Sequence, residues 1–252
     1  MTEQRLIELL VKLHRGLPRQ GPGTTASTLR ALSLCQSLPT RPDVLDVGCG
    51  AGVQTLDLAR ATGGTVTATD LFPAFLDQLR EKTEDEGLTE RITIRQADMN
   101  ALPFAPESFD LIWSEGAVYI MGFDSGLTSW RPLVRPGGWL AVTEVSWLTP
   151  NPSEECRRFW AEGYPGMRGV EENLAAARSL GWEPAGHFTL PRTAWTEDYY
   201  APLAARLPSF EAAHAHDSEA LEVAAMTRYE MDLLQRSLEH YNYVFYVLKK
   251  TD

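Results

Sequence analysis

Val44-Leu45-Asp46-Val47-Gly48-Cys49-Gly50-Ala51-Gly52 is the stretch whose reading decides the fold. Val44 to Val47 reads as a short buried strand. Gly48, Gly50 and Gly52 read as a turn, with a helix opening at Val53. Glycine accepts positive φ and lets a ligand come close to the backbone. The helix N-terminus behind the turn favours a negative group such as a carboxylate. The dinucleotide fingerprint needs its third glycine one place later, where Val53 stands. The competing reading is a tight strand–helix turn that binds nothing.

Outward from this turn the chain alternates. Helices are expected over 53–61, 73–86 and 122–133. Strands are expected over 65–69, 91–95, 109–113 and 138–145, the last after the Arg135-Pro136-Gly137-Gly138 turn. Such alternation predicts an α/β fold with a parallel sheet covered by helices on both faces. Upstream, Leu6, Leu9, Leu10 and Leu13 form one helical stripe, and a second helix is expected over 25–37. These two helices form an N-terminal layer over 1–42. Downstream, helices over 153–163 and 170–181 precede a strand over 183–190. Helices over 195–207 and 218–240 then form an excursion before a final strand over 243–248. That strand is expected to pair with 183–190, leaving the excursion, about 195–240, as a lid.

Composition narrows the partners. The chain has 252 residues, with 23 Lys+Arg against 34 Asp+Glu, a net charge of −11. An acidic surface without a basic run repels phosphate backbones, so no nucleic-acid partner is expected. The three cysteines, Cys35, Cys49 and Cys156, are far apart and show no metal-ligand spacing. They read as reduced thiols, which fits a cytoplasmic protein. No stretch approaches the ~20 apolar residues of a membrane span, and no signal peptide is evident.

Two acidic residues follow successive strands. Asp70 ends the second strand, 22 positions after Gly48. A carboxylate there can accept hydrogen bonds from both hydroxyls of a ribose. Asp98 follows the third strand, where it can meet an adenine amino group; the alternative is a turn-forming Asx residue.

The motifs Val44–Gly52, Asp70, Ala97–Phe104, Phe109–Trp113 and Leu133–Gly138 resemble, in order, those of Rossmann-like methyltransferases dependent on S-adenosyl-L-methionine (SAM). Gly21-Pro22-Gly23, Trp113–Tyr119, Trp195-Thr196-Glu197 and Tyr243–Tyr246 add a narrower likeness to bacterial small-molecule methyltransferases of the methyltransferase-11/25 type. The resemblance implies a Rossmann-like, seven-stranded, mostly parallel sheet, with a helical insertion before the last strand. It implies one methyltransferase domain over 1–252, with a SAM-binding core over 43–147 and substrate-side helices over 148–252. SAM is the implied cofactor and S-adenosylhomocysteine (SAH) the product. Gly48, Cys49, Gly50 and Gly52 would pass close to the methionyl part of SAM, with Asp46 orienting the turn and Gln54 reaching the cofactor. Asp70 would hold the ribose and Leu71 flank the adenine. Asp98 and Met99 would bracket the adenine amine and ring, and Ser114 and Glu115 would face donor and acceptor.

Methyl transfer gains mainly from alignment and exclusion of water. Glu115 is the candidate base, and Tyr119, four residues on, would share its face on a helical turn. The competing reading makes Glu115 an electrostatic partner of SAM or a hydrogen-bonding support. Glu144 would point into the same cleft or be structural, and His187 reads as a core strand histidine. Trp147, Phe159, Trp160, Tyr164, Trp195, Tyr199 and Tyr200 would wall an acceptor pocket or form the core of the lid. No metal site is expected. The fourth-strand motif Trp-Ser-Glu-Gly lacks the Asn/Asp-Pro-Pro-aromatic run of enzymes that methylate bases or glutamine, which favours a small-molecule substrate. The alternative is a SAM- or SAH-binding sensor without transferase activity. A homodimer is the assembly expected.

Overall fold

The computed structural model describes residues 1–251. Its centre is a seven-stranded sheet in the order β3-β2-β1-β4-β5-β7-β6. The strands are β1 (Asp43–Val47), β2 (Thr65–Asp70), β3 (Ile92–Gln96), β4 (Phe109–Ser114), β5 (Val134–Trp147), β6 (Trp182–Thr189) and β7 (Tyr241–Lys250). β1 to β5 run parallel, and β7 is antiparallel to both β5 and β6. The expected pairing of the last two strands is therefore present, and β7 is also inserted beside β5. Tyr241 to Leu248 are buried throughout, as a strand with neighbours on both sides and helices on both faces requires.

Helices α1 (Glu3–His14), α2 (Thr25–Leu34), α3 (Val53–Thr62), α4 (Pro73–Asp85), α5 (Phe123–Trp130), α6 (Glu154–Gly163) and α7 (Val170–Ser179) precede the excursion. Local chemistry sets their ends. Thr2, Thr24 and Ser153 each accept a backbone N–H of the first turn. Gly52 and Gly63 bracket α3 in the left-handed conformation. Two hydrophobic clusters lie on the two faces of the sheet. One contains Trp113, Trp139 and Phe245 with Leu9, Leu13 and Leu58. The other contains Leu45, Ile112, Leu140 and Tyr246 with Leu127 and Leu174.

Three expectations are corrected. β5 begins at Val134, not after the Arg135–Gly138 turn, which is carried within the strand as a register shift between Phe109 and Leu111. Gly137, at φ +70°, permits it. The helix expected over 195–207 is broken into α8 (Arg192–Trp195), a π-turn (Thr196–Tyr200) and α9 (Ala201–Ala213). Pro202 has no N–H to offer Asp198, so the regular ladder opens there. α10 (Ser218–Ser237) follows, and Arg5 of α1 bridges to Asp217 and Glu219 at its start. His187 also departs from expectation: it is exposed and stacks at 6.5 Å on the Tyr246 ring. Among the described residues no helix is long and apolar enough to cross a membrane.

Candidate functional site

β1 and β4 end side by side, and the glycine turn leaves β1 at that edge. Gly48, Gly50 and Gly52 have φ of +69°, +53° and +76°. Each also has a close neighbour. A Cβ on Gly48 would stand 2.5 Å from the Ala117 Cβ, one on Gly50 2.4 Å from the Gln20 Oε1, and one on Gly52 2.2 Å from the Leu79 Cδ1.

The turn is tied down from behind. The Cys49 N–H donates to the Thr69 carbonyl at 2.9 Å. The buried Gln54 amide donates to the Cys49 carbonyl at 2.9 Å and to the Asp46 Oδ2 at 3.2 Å, where the Thr55 hydroxyl donates as well, at 2.6 Å. Cys49 and Gln54 thus spend their polar groups inside the protein. The Asp46 Oδ1 is buried without a hydrogen-bond partner. Burial pushes this carboxyl up to about 7, against the pull of Thr55 and Gln54 and with Glu115 and Asp70 adding repulsion.

Asp70 is braced across the turn. Its oxygens accept the Gly50 and Phe72 N–H groups, both at 2.9 Å. Burial raises its pKa while these backbone bonds oppose the rise. Leu71 beside it is half exposed, an apolar surface next to a polar anchor. Asp98 is exposed and forms an Asx turn, accepting the Asn100 backbone and side-chain N–H groups at 2.9 and 2.8 Å. The Asn100 bonds hold its pKa below the ordinary value. Met99 follows Asp98, with its Cε 3.6 Å from where a Cβ on Gly48 would stand. Ser114 is buried and donates to the Val47 carbonyl at 2.9 Å, locking β4 to the end of β1.

Glu115 and Tyr119 do not share a face. Gly116 takes φ +66°, and a 3-10 turn starts only at Val118. Glu115 turns towards the N-terminal layer. Its Oε1 accepts the Thr28 hydroxyl at 2.6 Å and the Trp113 indole N–H at 2.9 Å, and its Oε2 pairs with Arg19 at 3.2 Å. A carboxylate engaged on both oxygens is not arranged as a free proton acceptor. Tyr119 goes the other way, partly exposed, with its ring 6.0 Å from that of Tyr164.

Sequence reasoning missed the segment between α1 and α2. From it Gln20 reaches onto the glycine turn and Arg19 onto Glu115. Gln20 accepts the Ala51 N–H at 2.6 Å. Arg19 is buried against Glu115, with its Nη2 unpartnered. The Gly16 to Gly23 cluster of glycines and prolines signalled a turn, but nothing in it said that its two polar residues point inward. A groove of about 710 Å³ beyond the end of β5, lined by Trp147, Leu148, Arg157 and Glu171 among others, contains none of the turn residues.

Among the described residues no group of His, Cys, Asp or Glu is arranged to hold a metal ion. The three cysteines are free and buried.

Residues 44–138 match the family described as "Methyltransferase domain". The methyltransferase GfsG of Streptomyces halstedii is 38% identical over 103 residues, 40% of this chain and 37% of that protein. This chain therefore spans well under half the length of that relative. The malonyl-[acyl-carrier protein] O-methyltransferase of Salmonella typhimurium is 30% identical over 197 residues, 73% of this chain and 70% of that one. A SAM-dependent methyltransferase from Geobacter sulfurreducens, solved with SAH, superposes with a TM-score of 0.82 at 21% identity, covering 96% of this chain and 98% of its own. With its motifs in order, its strand order and its match over most of a curated relative, the chain belongs to the Rossmann-like SAM-dependent methyltransferase family.

Proposed function

We propose that the protein transfers a methyl group from SAM to a small-molecule acceptor at the carboxyl ends of β4 and β5, releasing SAH. The observation that carries this reading is two buried, unpartnered polar atoms of opposite character, the Asp46 Oδ1 at the end of β1 and the Nη2 of Arg19, which is held on Glu115 at the end of β4. An amino-acid end needs such a pair, an acceptor for its ammonium and a donor for its carboxylate. When bound, SAM supplies an electrophilic methyl on a sulfonium sulfur.

The chain's own residues divide the remaining work. The open backbone at Gly48, Gly50 and Gly52 admits the methionyl part. Cys49, Gln54 and Ser114 fix that backbone from behind. Asp70 holds the ribose, Leu71 and Met99 flank the adenine, and Asp98 meets its amine at the rim. Glu115 anchors Arg19 in place of serving as the base. Gln20, already on the Ala51 N–H, yields to the ligand. Tyr119 faces the acceptor, and 195–240 closes over it as a lid. The charge of −11 argues against a nucleic-acid partner, and a cytoplasmic homodimer is the form in which we expect the enzyme to act.

The test is SAH formation over a library of small amines, alcohols, thiols and acids. One or more acceptors should give stoichiometric SAH and a product 14 mass units heavier, the gain of one CH₂, estimated as about 14 from simple stoichiometry. Tight SAM binding with no SAH from any acceptor class favours the binding-protein reading.

A further inference from the structure

The mechanism just described leaves one buried acid unused. Glu144 sits on β5 two residues beyond Val142, which pairs with Ser114 at the end of β4. It is 1% exposed, and its Oε2 has no hydrogen-bond partner among the described residues. A buried carboxyl oxygen without a donor costs free energy unless something supplies one. The neighbouring cation does not. Arg168 is committed to Asp124, with Nη1–Oδ2 at 3.1 Å, and to Asn173 at 3.0 Å.

A second carboxyl stands on α10. Glu230 of α10 accepts the Tyr200 hydroxyl at 2.7 Å. Glu144 and Glu230 both act electrostatically on the hydroxyls of Tyr119 and Tyr243. Glu144 also acts on Tyr164, and Glu230 on Tyr199. Burial is the main cause of the raised hydroxyls of Tyr119, Tyr164, Tyr199 and Tyr243, and one or both of these acids add to it in each. Tyr119 and Tyr164 meet edge to face at 6.0 Å, and Tyr243 packs on Trp195 at 5.4 Å.

We infer that this is the acceptor site and that it takes a basic amine. The inference rests on the methyltransferase reading for the donor but not for the recognition of the ligand. Aromatic faces and desolvated carboxyls both attract a cation. A carboxylate, phosphate or thiolate acceptor would be repelled by the same groups. Glu144, ionised beside the bound ammonium, contacts the amine directly and takes one proton from it, which frees the nitrogen lone pair. The nitrogen lone pair forms the N–C bond to the methyl carbon as the C–S bond breaks, with that electron pair going to sulfur. The methylated amine leaves as an ammonium cation, and Glu144 returns the single proton it took to solvent. Burial raises the Glu144 carboxyl to about 8, and a cation bound beside it favours the ionised form that accepts the proton.

Choline and its neutral isostere 3,3-dimethylbutan-1-ol separate charge from shape. Each is titrated calorimetrically into the full chain, with and without SAH, alongside a SAM titration. Choline should bind at least about tenfold more tightly than the isostere. Glu144→Gln, which is isosteric, and Tyr119→Leu, at a partly exposed position, should each abolish most of that preference. SAM affinity should be unchanged in both. Equal binding of the two probes, binding of neither, or a preference that survives both variants overturns the amine assignment. Choline preference without SAM binding keeps the site and refutes the methyltransferase reading; SAM binding without choline preference does the reverse.

Discussion

Glu115 shows how burial redirects a residue's chemistry. Its pairing with Arg19 is almost fully shielded, the two side chains being 3% and 7% exposed. Breaking a buried pair by removing one charge costs about 3–5 kcal/mol, mostly by stranding the other. Glu115→Gln should therefore lower the melting temperature and raise KM for SAM while largely sparing kcat. The opposite split, a fallen kcat with unchanged KM, would restore it as a base. Asp70→Ala should weaken SAM binding about tenfold or more, because it removes both the ribose acceptor and the brace on Gly50. Glu144 makes a prediction about pH. Burial raises it from 4.5 to about 8, so between those values the folded protein holds a proton that the unfolded chain has released. Its contribution to stability is complete below the lower value and is lost as pH rises through the upper one. Glu144→Gln should thus gain stability relative to the parent by roughly 2–4 kcal/mol between pH 5 and pH 9, read from paired denaturation curves.

Among the elements, the glycine turn was legible and its cover was not. Three glycines at alternate positions after an apolar run mark a strand–turn–helix from composition alone, and the three positive φ values agree. Gly52→Ala should cost about 1–3 kcal/mol, combining a left-handed backbone with a Cβ at 2.2 Å from Leu79. It should also weaken SAM binding. Arg19 and Gln20 escaped notice because their role depends on a contact across more than thirty positions of chain, which no local pattern records. The same holds for Tyr119. Helical spacing placed it with Glu115, but Gly116 breaks the helix between them and sends the two side chains to different walls. In the excursion, apolar spacing identified helices but not the π-turn. That turn depends on Pro202 and gives Tyr199 and Tyr200 their places, one on His14 and the other on Glu230.

At the scale of the whole molecule, the sheet was the most legible feature, because strand and helix periods alternate in order and the late strand over 183–190 offered the last one a partner. The position of β7, between β5 and β6, then brings Tyr243 to the same end of the sheet as Glu144. The proposed acceptor side was hard to read for the same reason: its residues come from β5, β7, α10, the end of α6 and two turns, and only the fold assembles them. The central claim is that the glycine turn, Asp46, Arg19 and Asp70 form a cradle for SAM. Calorimetric titration of the full chain with SAM, SAH and NAD tests it most directly. Single-site binding of SAM and SAH in the micromolar range, with none of NAD, is the predicted result; binding of NAD alone, or of none of the three, would contradict it.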